Sequence, residues 1–456
     1  MNHFTAEQVA QLAPDAASLK AGRDLANARK WLSFSMNERV LWGEVQGSGK
    51  DPYRTQVDLE VVAFKCSCPS RKFPCKHGIG LMFLLVSSPD SFKNAKEPDW
   101  VADWIGKRRQ KAENATESDA VENTEIPDKA AEKRAKDKAK RADNRMALVQ
   151  AGAAELELML RDLLRTGILS VPEKGAAFYD KTVRRMIDAK AGGLANWVRN
   201  FNKINYISDQ NWHETAFENA TKIWLLLDAF RNIAQLEIPE QEQIRSLIGW
   251  TYAKKDLLDD PSLKSIEDDW LPLGKITEQL DDDVTTMHRT WLYGLQSGKT
   301  ALIMDFVTPF NPADDFFPIG VPLRASLVYY PSNYPLRAQF KSRGVSQAQN
   351  LHTEPLANWT AAQTELAETV ALSPWADDIP QFLGQLVLVK DKDKWFLKDQ
   401  ENRFVALAGG YNAEQVWQLL AISGGRSCDM WLLRRGKEAF PLGIFVGNVY
   451  KVLYNK

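Results

Sequence analysis

The chain has 456 residues and a mass of 51.5 kDa, which is too long for one ordinary core and predicts two or three domains. Its residues are 44% hydrophobic and 26% charged, close to the soluble globular average, which excludes a wholly disordered or fibrous chain. Lys and Arg number 58 against 59 for Asp and Glu, so any attraction to nucleic acid or an anionic membrane must be local.

The start of the chain, MNHFTAEQVAQLAPDA, lacks the charged residues and apolar run of a signal peptide. No segment approaches about 18 consecutive apolar residues, the length that a membrane span needs. We therefore expect a soluble cytoplasmic protein. Four cysteines are too few for a disulfide scaffold, and three of them lie within ten residues, so their clustering needs a chemical explanation.

Residues 1–105 form the first predicted domain. The segment SLKAGRDLANA predicts a short helix, and ERVLWGEVQGSGKDPYRTQVDLEVVAFKC predicts two strands around a Gly-rich turn, because apolar residues alternate on both sides of that turn. After His77 the apolar residues follow a helical spacing as far as Ser87, Ser88 and Pro89. A hairpin, the cysteines and a helix therefore follow one another.

Residues 106–145 form a predicted charged linker, rich in Ala, Glu, Lys and Arg. Acidic residues come first, from Glu113 to Asp128, and a basic arm follows from Lys129 to Arg145. Two interpretations stay open for this arm. It is either a flexible tether or the solvated face of a helix, or it is a contact site for phosphate or an acidic partner.

The remaining chain divides into residues 146–265, which are predicted to be helical, and 266–456, which are predicted to form an antiparallel α+β domain. Their spacing predicts one helical stripe of apolar residues: Met146, Val149, Ala153, Leu156, Leu160, Leu163 and Leu164. Four candidate hairpins follow beyond residue 280, together with one helix around Ala413 to Leu420. The predicted fold class is α+β: a small hairpin-helix domain around the clustered cysteines, a linker, a helical segment and a sheet-rich antiparallel region.

The strongest chemical signal is the segment KCSCPSRKFPCKHGIGLMFLL, which contains Cys66, Cys68, Cys75 and His77. Three thiolates and one imidazole are a complete tetrahedral ligand set for Zn²⁺. A closed set of this kind is structural, since a catalytic zinc keeps a position for water or substrate. Lys65, Arg71, Lys72 and Lys76 either balance the negative charge of the three-thiolate site or belong to a nucleic-acid surface.

The spacing C-x-C, six residues, C-x-H resembles the SWIM zinc finger, and the match includes CSCPSRKFPCKHGIGL and the preceding hairpin. The resemblance covers residues from about 20 to 88 and implies that Cys66, Cys68, Cys75 and His77 bind the metal. It also implies a module that binds DNA or proteins. The order of an N-terminal finger, a charged linker and a long remainder resembles bacterial SWIM proteins that accompany MoxR-type ATPases and von Willebrand A domain proteins.

Other motifs favour no catalytic site. GLQSGKT has one residue too few between its first Gly and Gly-Lys for a P-loop, and its flanks predict a hairpin turn. The acidic run Asp281 to Asp283, near His288, is interpreted as a solvated loop. His213 and His352 stand alone, and Cys428 is expected to be a buried strand residue rather than a nucleophile.

We therefore expect a non-enzymatic, zinc-binding interaction protein. On the resemblance, it would be an adaptor or regulator in a complex with a MoxR-type AAA+ ATPase or a von Willebrand A domain protein. The alternative is nucleic-acid binding by the finger together with the basic arm. A third interpretation, an enzyme with its site in the C-terminal α+β region, stays open because distant residues can assemble a site without a local motif.

Overall fold

Three groups of elements follow one another in the computed structural model, which describes residues 4, 6–47, 51–59, 62–70, 72–106, 128–207, 209–280, 285–308, 317–348, 350, 351 and 353–453. Helices and antiparallel sheets alternate in blocks rather than one by one, which confirms the predicted α+β class. Among the described residues, no helix combines the length and the apolar character that crossing a membrane requires.

The N-terminal unit contains a four-stranded antiparallel sheet in the order β1-β2-β3-β4. The predicted hairpin is β2 and β3, and the structure adds β1 and β4, which the sequence did not predict. The elements are α1 (Ala6–Gln11), α2 (Ala16–Asp24), β1 (Trp31–Met36), β2 (Val40–Val45), β3 (Tyr53–Asp58), β4 (Ala63–Cys66), α3 (Lys76–Ser87) and a helix over residues 99–106, α4.

Both faces of this sheet are covered. Helix α3 is buried from His77 to Leu84 and packs with Leu41 and Val57 on one face. Val101 and Trp104 of α4 pack with the opposite face. Helix α3 lies almost wholly inside the unit, which explains why its apolar residues do not fall on a narrow stripe.

The second group is a helical bundle. It consists of α5 (Asp128–Thr166), α6 (Gly175–Asp188), α7 (Gly192–Lys203), α8 (Trp212–Arg231), α9 (Ile238–Ile248) and the short α10 (Lys254–Asp259). The predicted stripe of α5 packs in the bundle core, with Leu156 and Leu160 fully inaccessible, except for Leu164, which is 43% exposed. The bundle core therefore forms as the periodicity predicts.

Helix α5 begins inside the predicted linker and continues across residue 145 without a break. Lys140 is exposed, whereas the Arg145 guanidinium donates to the Gly249 carbonyl (2.9 Å) and lies over the Trp250 ring. The last residue of the basic arm thus belongs to the bundle. The acidic half of the linker lies outside the described residues, as do the side chains of Lys129 to Lys138 and Arg141.

The third group begins with a five-stranded antiparallel sheet in the order β7-β6-β5-β8-β9. Two predicted hairpins, β6-β7 and β8-β9, are confirmed. The strands are β5 (Ser265–Gln279), β6 (Thr286–Gly294), β7 (Thr300–Val307), β8 (Leu323–Tyr329) and β9 (Ala338–Val345).

The chain then forms a six-stranded sheet in the order β12-β11-β10-β13-β14-β15. The predicted helix is α12, and the hairpins β10-β11 and β13-β14 are confirmed, whereas α11 was not predicted. A parallel pairing of β12 with β14 closes β10, β11, β12, β14 and β13 into a small barrel. The elements are α11 (Trp359–Leu372), β10 (Ile379–Asp391), β11 (Lys394–Lys398), β12 (Phe404–Leu407), α12 (Ala413–Ser423), β13 (Cys428–Arg435), β14 (Glu438–Val446) and β15 (Val449–Val452).

The five-stranded sheet and the barrel share one apolar cluster, in which Leu271 and Leu273 of β5 meet Trp431 and Leu442. The bundle also contacts this C-terminal region. The Trp375 indole donates to the Lys222 carbonyl of α8 at 2.9 Å, and its ring packs on the bundle core. The C-terminal sheets and the bundle therefore share buried surface.

Candidate metal centre

Four donor side chains converge where β4 ends and α3 begins. Cys66 is the last residue of β4, Cys68 lies in the following loop, and Cys75 and His77 flank the first residue of α3. One ligand atom from each residue lies within 4.8 Å of the other three. The structure thus brings together all four residues that the sequence predicts as metal ligands.

The spacing of the donor atoms fits a tetrahedral zinc ion. Nδ1 of His77 lies 3.7 Å from Sγ of Cys66 and 3.8 Å from Sγ of Cys75. Zn–S bonds of about 2.3 Å and a Zn–N bond of about 2.0 Å at tetrahedral angles separate such atoms by about 3.5 Å. The residues therefore fit Zn²⁺, with His77 binding through Nδ1.

The pKa values in the cluster reflect thiols packed closely together. Hydrogen bonds with Cys66 and Cys75 hold the pKa of the Cys68 thiol well below its ordinary value, while hydrogen bonds with Cys68 and Cys75, together with burial, raise the pKa of Cys66. Burial lowers the pKa of His77, but its contacts with Cys68 and Cys75 outweigh burial and raise it to about 9. A divalent cation bound here would displace these protons.

Two groups outside the ligand set contact the sulfurs. Thr55 is fully buried on β3, directly opposite Cys66 in the strand register, and its hydroxyl lies 3.0 Å from the Cys66 Sγ. The backbone N–H of Ser70 donates to Cys68. Sequence reasoning missed Thr55, because the pairing of β3 with β4 that places it beside the first cysteine was not predicted.

The start of α3 is fixed by close packing. The ring of Phe64 lies 2.7 Å from the place where a Cβ of Gly78 would be, so only glycine fits there without movement. Gly78 lies inside α3, in its first turn. Its lack of a side chain serves the contact with Phe64. The helix N-terminus also presents its partial positive charge to the thiolates.

The basic residues around the site differ in their contacts. Lys72 forms an ion pair with Asp15 (2.7 Å), the residue that caps α2. Lys65 and Lys76 are exposed, and Arg71 lies outside the described residues. Lys72 therefore stabilises the packing of the loop on α2.

The structure also describes several of the other motifs and residues for which the sequence favours no catalytic role. GLQSGKT forms the β6-β7 turn, whose N–H groups at Gln296 and Ser297 donate to the buried Asp268 carboxylate, at 3.1 and 2.7 Å from the nearer oxygen. Burial raises the pKa of Cys428 to about 12, as expected for an inert strand cysteine. His213 is exposed. Asp281 to Asp283 and His352 lie outside the described residues.

Comparisons with known proteins agree with this geometry. Residues 53–85 match the SWIM zinc finger family model, and residues 144–248 match the SWIM-associated four-helix bundle domain. The first match contains the four donors, and the second covers most of the bundle. Comparison with curated proteins and with solved structures gave no significant match. The resemblance to SWIM zinc finger proteins is thereby confirmed for these two segments.

Proposed function

We propose that Zn²⁺ bound by Cys66, Cys68, Cys75 and His77 stabilises the N-terminal unit, and that the chain is a non-enzymatic interaction protein of the cytoplasm. The observation that carries the proposal is the convergence of four protein donors at tetrahedral spacing. Because the protein supplies every ligand, the metal needs no water or substrate to complete its sphere. Its role is then to hold β4 and α3 together.

The first test is Cys68→Ser, which should lose bound zinc and loosen the N-terminal unit, because binding of the metal supplies folding free energy. Zinc is measured by elemental analysis and folding by circular dichroism. Cys428→Ala is the matched control, since Cys428 is the cysteine of β13 and lies outside the cluster. Equal zinc content in Cys68→Ser and the wild type would contradict the proposal, as would cobalt spectra that indicate a bound solvent molecule.

The partner that we propose is a protein, and the sequence resemblance suggests a MoxR-type AAA+ ATPase or a von Willebrand A domain protein. A groove of about 340 Å³ between α5 and α6 supports a protein contact. Leu158 and Phe178 line it, and Leu158 is 64% exposed. Apolar side chains surrounded by charged groups are typical of protein contact sites.

The partner is tested by affinity purification of the full chain with and without nuclease. A retained MoxR-type ATPase that survives nuclease treatment and binds saturably when purified would support an adaptor or regulator. Leu158→Asp should weaken that contact, with the exposed Leu225→Asp on α8 as the matched control. A complex that survives Leu158→Asp unchanged would exclude the groove, and failure to retain any protein would count against the adaptor role.

The second candidate function is nucleic-acid binding by the finger and the basic arm. It is favoured by the exposed Lys65 and Lys76 beside the metal site and by the run of basic residues from Lys129 to Arg145. Affinity for DNA should then fall steeply with salt and drop when Lys136, Lys138 and Lys140 are neutralised. A flat response to salt would remove this candidate.

A further inference from the structure

The connectivity of the C-terminal barrel identifies its type. Strand β10 pairs with both β11 and β13, and β12 pairs in parallel with β14. The barrel order is therefore β10-β11-β12-β14-β13, and helix α12 connects β12 with β13. This is the connectivity of an OB-fold, the five-stranded Greek-key barrel.

Two details support this assignment. Strand β10 is 13 residues long and has an irregularity in its register between Leu383 and Leu386. Its first half pairs with β13, and its second half pairs with β11. Helix α12 places Val416 and Leu419 in the same cluster as the barrel side chains. The helix thus packs on the barrel as the helix between the third and fourth OB strands does.

The strands β10, β11 and β12 present one face to the core and one to solvent. Alternate residues pack in the shared apolar cluster: Leu386, Leu388, Trp395, Leu397, Val405 and Leu407. The intervening residues Val387, Val389, Phe396 and Phe404 are absent from that cluster, and Phe404 is 56% exposed. These strands therefore carry an apolar and aromatic patch on their outer side.

The register places these side chains close together. Phe396 pairs with Val389 on one side and with Ala406 on the other, while Lys398 pairs with Val387 and Phe404. Phe396 and Phe404 are diagonal neighbours across β11 and β12, which is within reach of aromatic side chains. Two rings on one solvent-facing surface offer successive stacking platforms.

The charges on this face favour an anion. Lys394 and Lys398 flank Phe396 on the outer side of β11. Lys390 pairs with Trp395 and lies over its ring at 5.5 Å, which places it on the core side of the strands. Asp391 pairs with Lys394 on the outer side and reduces the local charge, and Arg403 is paired with Glu401 at 3.2 Å. The outer side of these strands therefore holds Lys394 and Lys398 against Asp391, beside the half-buried Phe396 ring and the exposed Phe404 ring.

We propose that this face, formed by Val387, Val389, Lys394, Phe396, Lys398 and Phe404, binds single-stranded nucleic acid. Bases stack on Phe396 and Phe404, and Lys394 and Lys398 contact the phosphates on either side. The face between the second and third strands is where OB-folds bind oligonucleotides. Stacking on aromatic rings beside a basic strand is the recognition mode of single strands. The site is separate from the metal centre and the basic arm.

The test is fluorescence anisotropy of the full-length protein with a labelled dT20 oligonucleotide at low salt. We expect saturable binding that falls about tenfold for Phe396→Ala or Phe404→Ala and further for the double variant. Lys394→Glu with Lys398→Glu should weaken binding and reduce its salt dependence. The control for loss of an exposed aromatic ring is Trp417→Ala on α12, where Trp417 is 65% exposed. The control for charge reversal is the double variant Lys341→Glu with Lys451→Glu, which changes exposed lysines of β9 and β15.

Several results would overturn the proposal. The first is an absence of dT20 binding by the wild type. The second is equal dT20 affinity of the wild type and the double variant that carries Phe396→Ala and Phe404→Ala. The third is tighter binding of duplex DNA than of single-stranded DNA. Dissociation of a homodimer by the double variant in sedimentation would instead assign the face to a second copy of the chain. Since Cys68→Ser acts on the N-terminal unit and the proposed face lies on β10, β11 and β12, loss of zinc with dT20 binding retained keeps this site distinct from the proposed zinc function.

Discussion

At the scale of single residues, the metal centre depends on a side chain that is not a ligand. Thr55 is inaccessible to solvent and its hydroxyl lies 3.0 Å from the Cys66 sulfur. Partners of this kind orient a ligand and tune its charge. The four ligands could be predicted because their spacing is local, whereas Thr55 is eleven positions before Cys66 and becomes visible only through strand pairing.

Thr55→Val keeps the shape of the side chain and removes the hydroxyl. We expect zinc affinity to fall about tenfold while the fold is retained. Competition with a chromophoric chelator measures the change. Thr290→Val, a similarly buried threonine of β6, is the control and should bind zinc as the wild type does. An unaltered affinity in Thr55→Val would show that the contact does not tune the site.

His288 links stability to pH. Burial, together with the nearby Lys275, lowers its pKa from 6.5 to about 4. Between these values the unfolded chain takes up a proton that the folded chain does not, so the free energy of unfolding falls as pH is lowered from 6.5 towards 4. Between pH 7 and 5, the melting temperature of His288→Gln should fall less than that of the wild type. An equal fall in melting temperature for the two proteins would contradict this prediction.

At the scale of elements, the strand pairings that were predicted correctly all join neighbours in sequence across a recognisable turn. The β6-β7, β8-β9, β10-β11 and β13-β14 hairpins follow from alternation around a turn, since both partners lie within one short segment. The closure of β12 on β14 rests on the pairs Ala406 with Glu438 and Leu407 with Ala439, about thirty residues apart. A pattern within one short segment of the sequence cannot predict that pairing.

Helix α11 escaped prediction for a related reason. Its segment, WTAAQTELAETVAL, has few large apolar residues, and its buried face comes from Trp359, Ala362, Leu366 and Thr369. The Trp359 indole donates to the Leu397 carbonyl of β11 at 3.1 Å, and the buried Asp399 accepts from the Trp359 backbone N–H at 3.0 Å. Tertiary contacts therefore fix a helix that its own hydrophobic pattern only weakly indicates.

Gly78→Ala tests how precisely α3 must be placed. The new methyl would meet the Phe64 ring at 2.7 Å, so the helix start that carries His77 must shift. We expect a loss of about 1 to 3 kcal/mol in the free energy of unfolding of the N-terminal unit, together with weaker zinc binding. Chemical denaturation and chelator competition measure the two effects. Gly192→Ala, at the start of α7 with open space around it, should cost nothing.

At the scale of the whole molecule, a buried carboxylate joins two sheets. Asp378 precedes β10 and is 6% exposed, and it accepts from Arg289 of β6 (2.6 Å) and from Arg435 of β13. One aspartate thus binds cations from the five-stranded sheet and from the barrel. The sequence could not predict this contact, because its three members are separated by 89 and 57 positions.

Asp378→Ala leaves both guanidinium groups without their carboxylate. We expect a loss of about 2 kcal/mol in the free energy of unfolding, below the cost for a deeply buried pair because the arginine side chains are 21% and 27% exposed. Urea denaturation followed by tryptophan fluorescence measures it. Asp391→Ala, at the exposed end of the same strand, is the control. Equal midpoints for the two variants would refute the interpretation.

The position of Cys66 would let a bound zinc ion fix the edge strand of the N-terminal sheet. Strand β4 is only four residues long and forms the edge of that sheet, where no other described strand pairs with its outer side. Sliding β4 by one residue along β3 would turn Cys66 to the other side of the sheet, away from Cys75 and His77. A bound ion would fix the register of β4 and prevent such slippage. Removing the metal should therefore expose a sheet edge with which strands of other copies of the chain can pair. We expect the metal-free protein to precipitate as it unfolds.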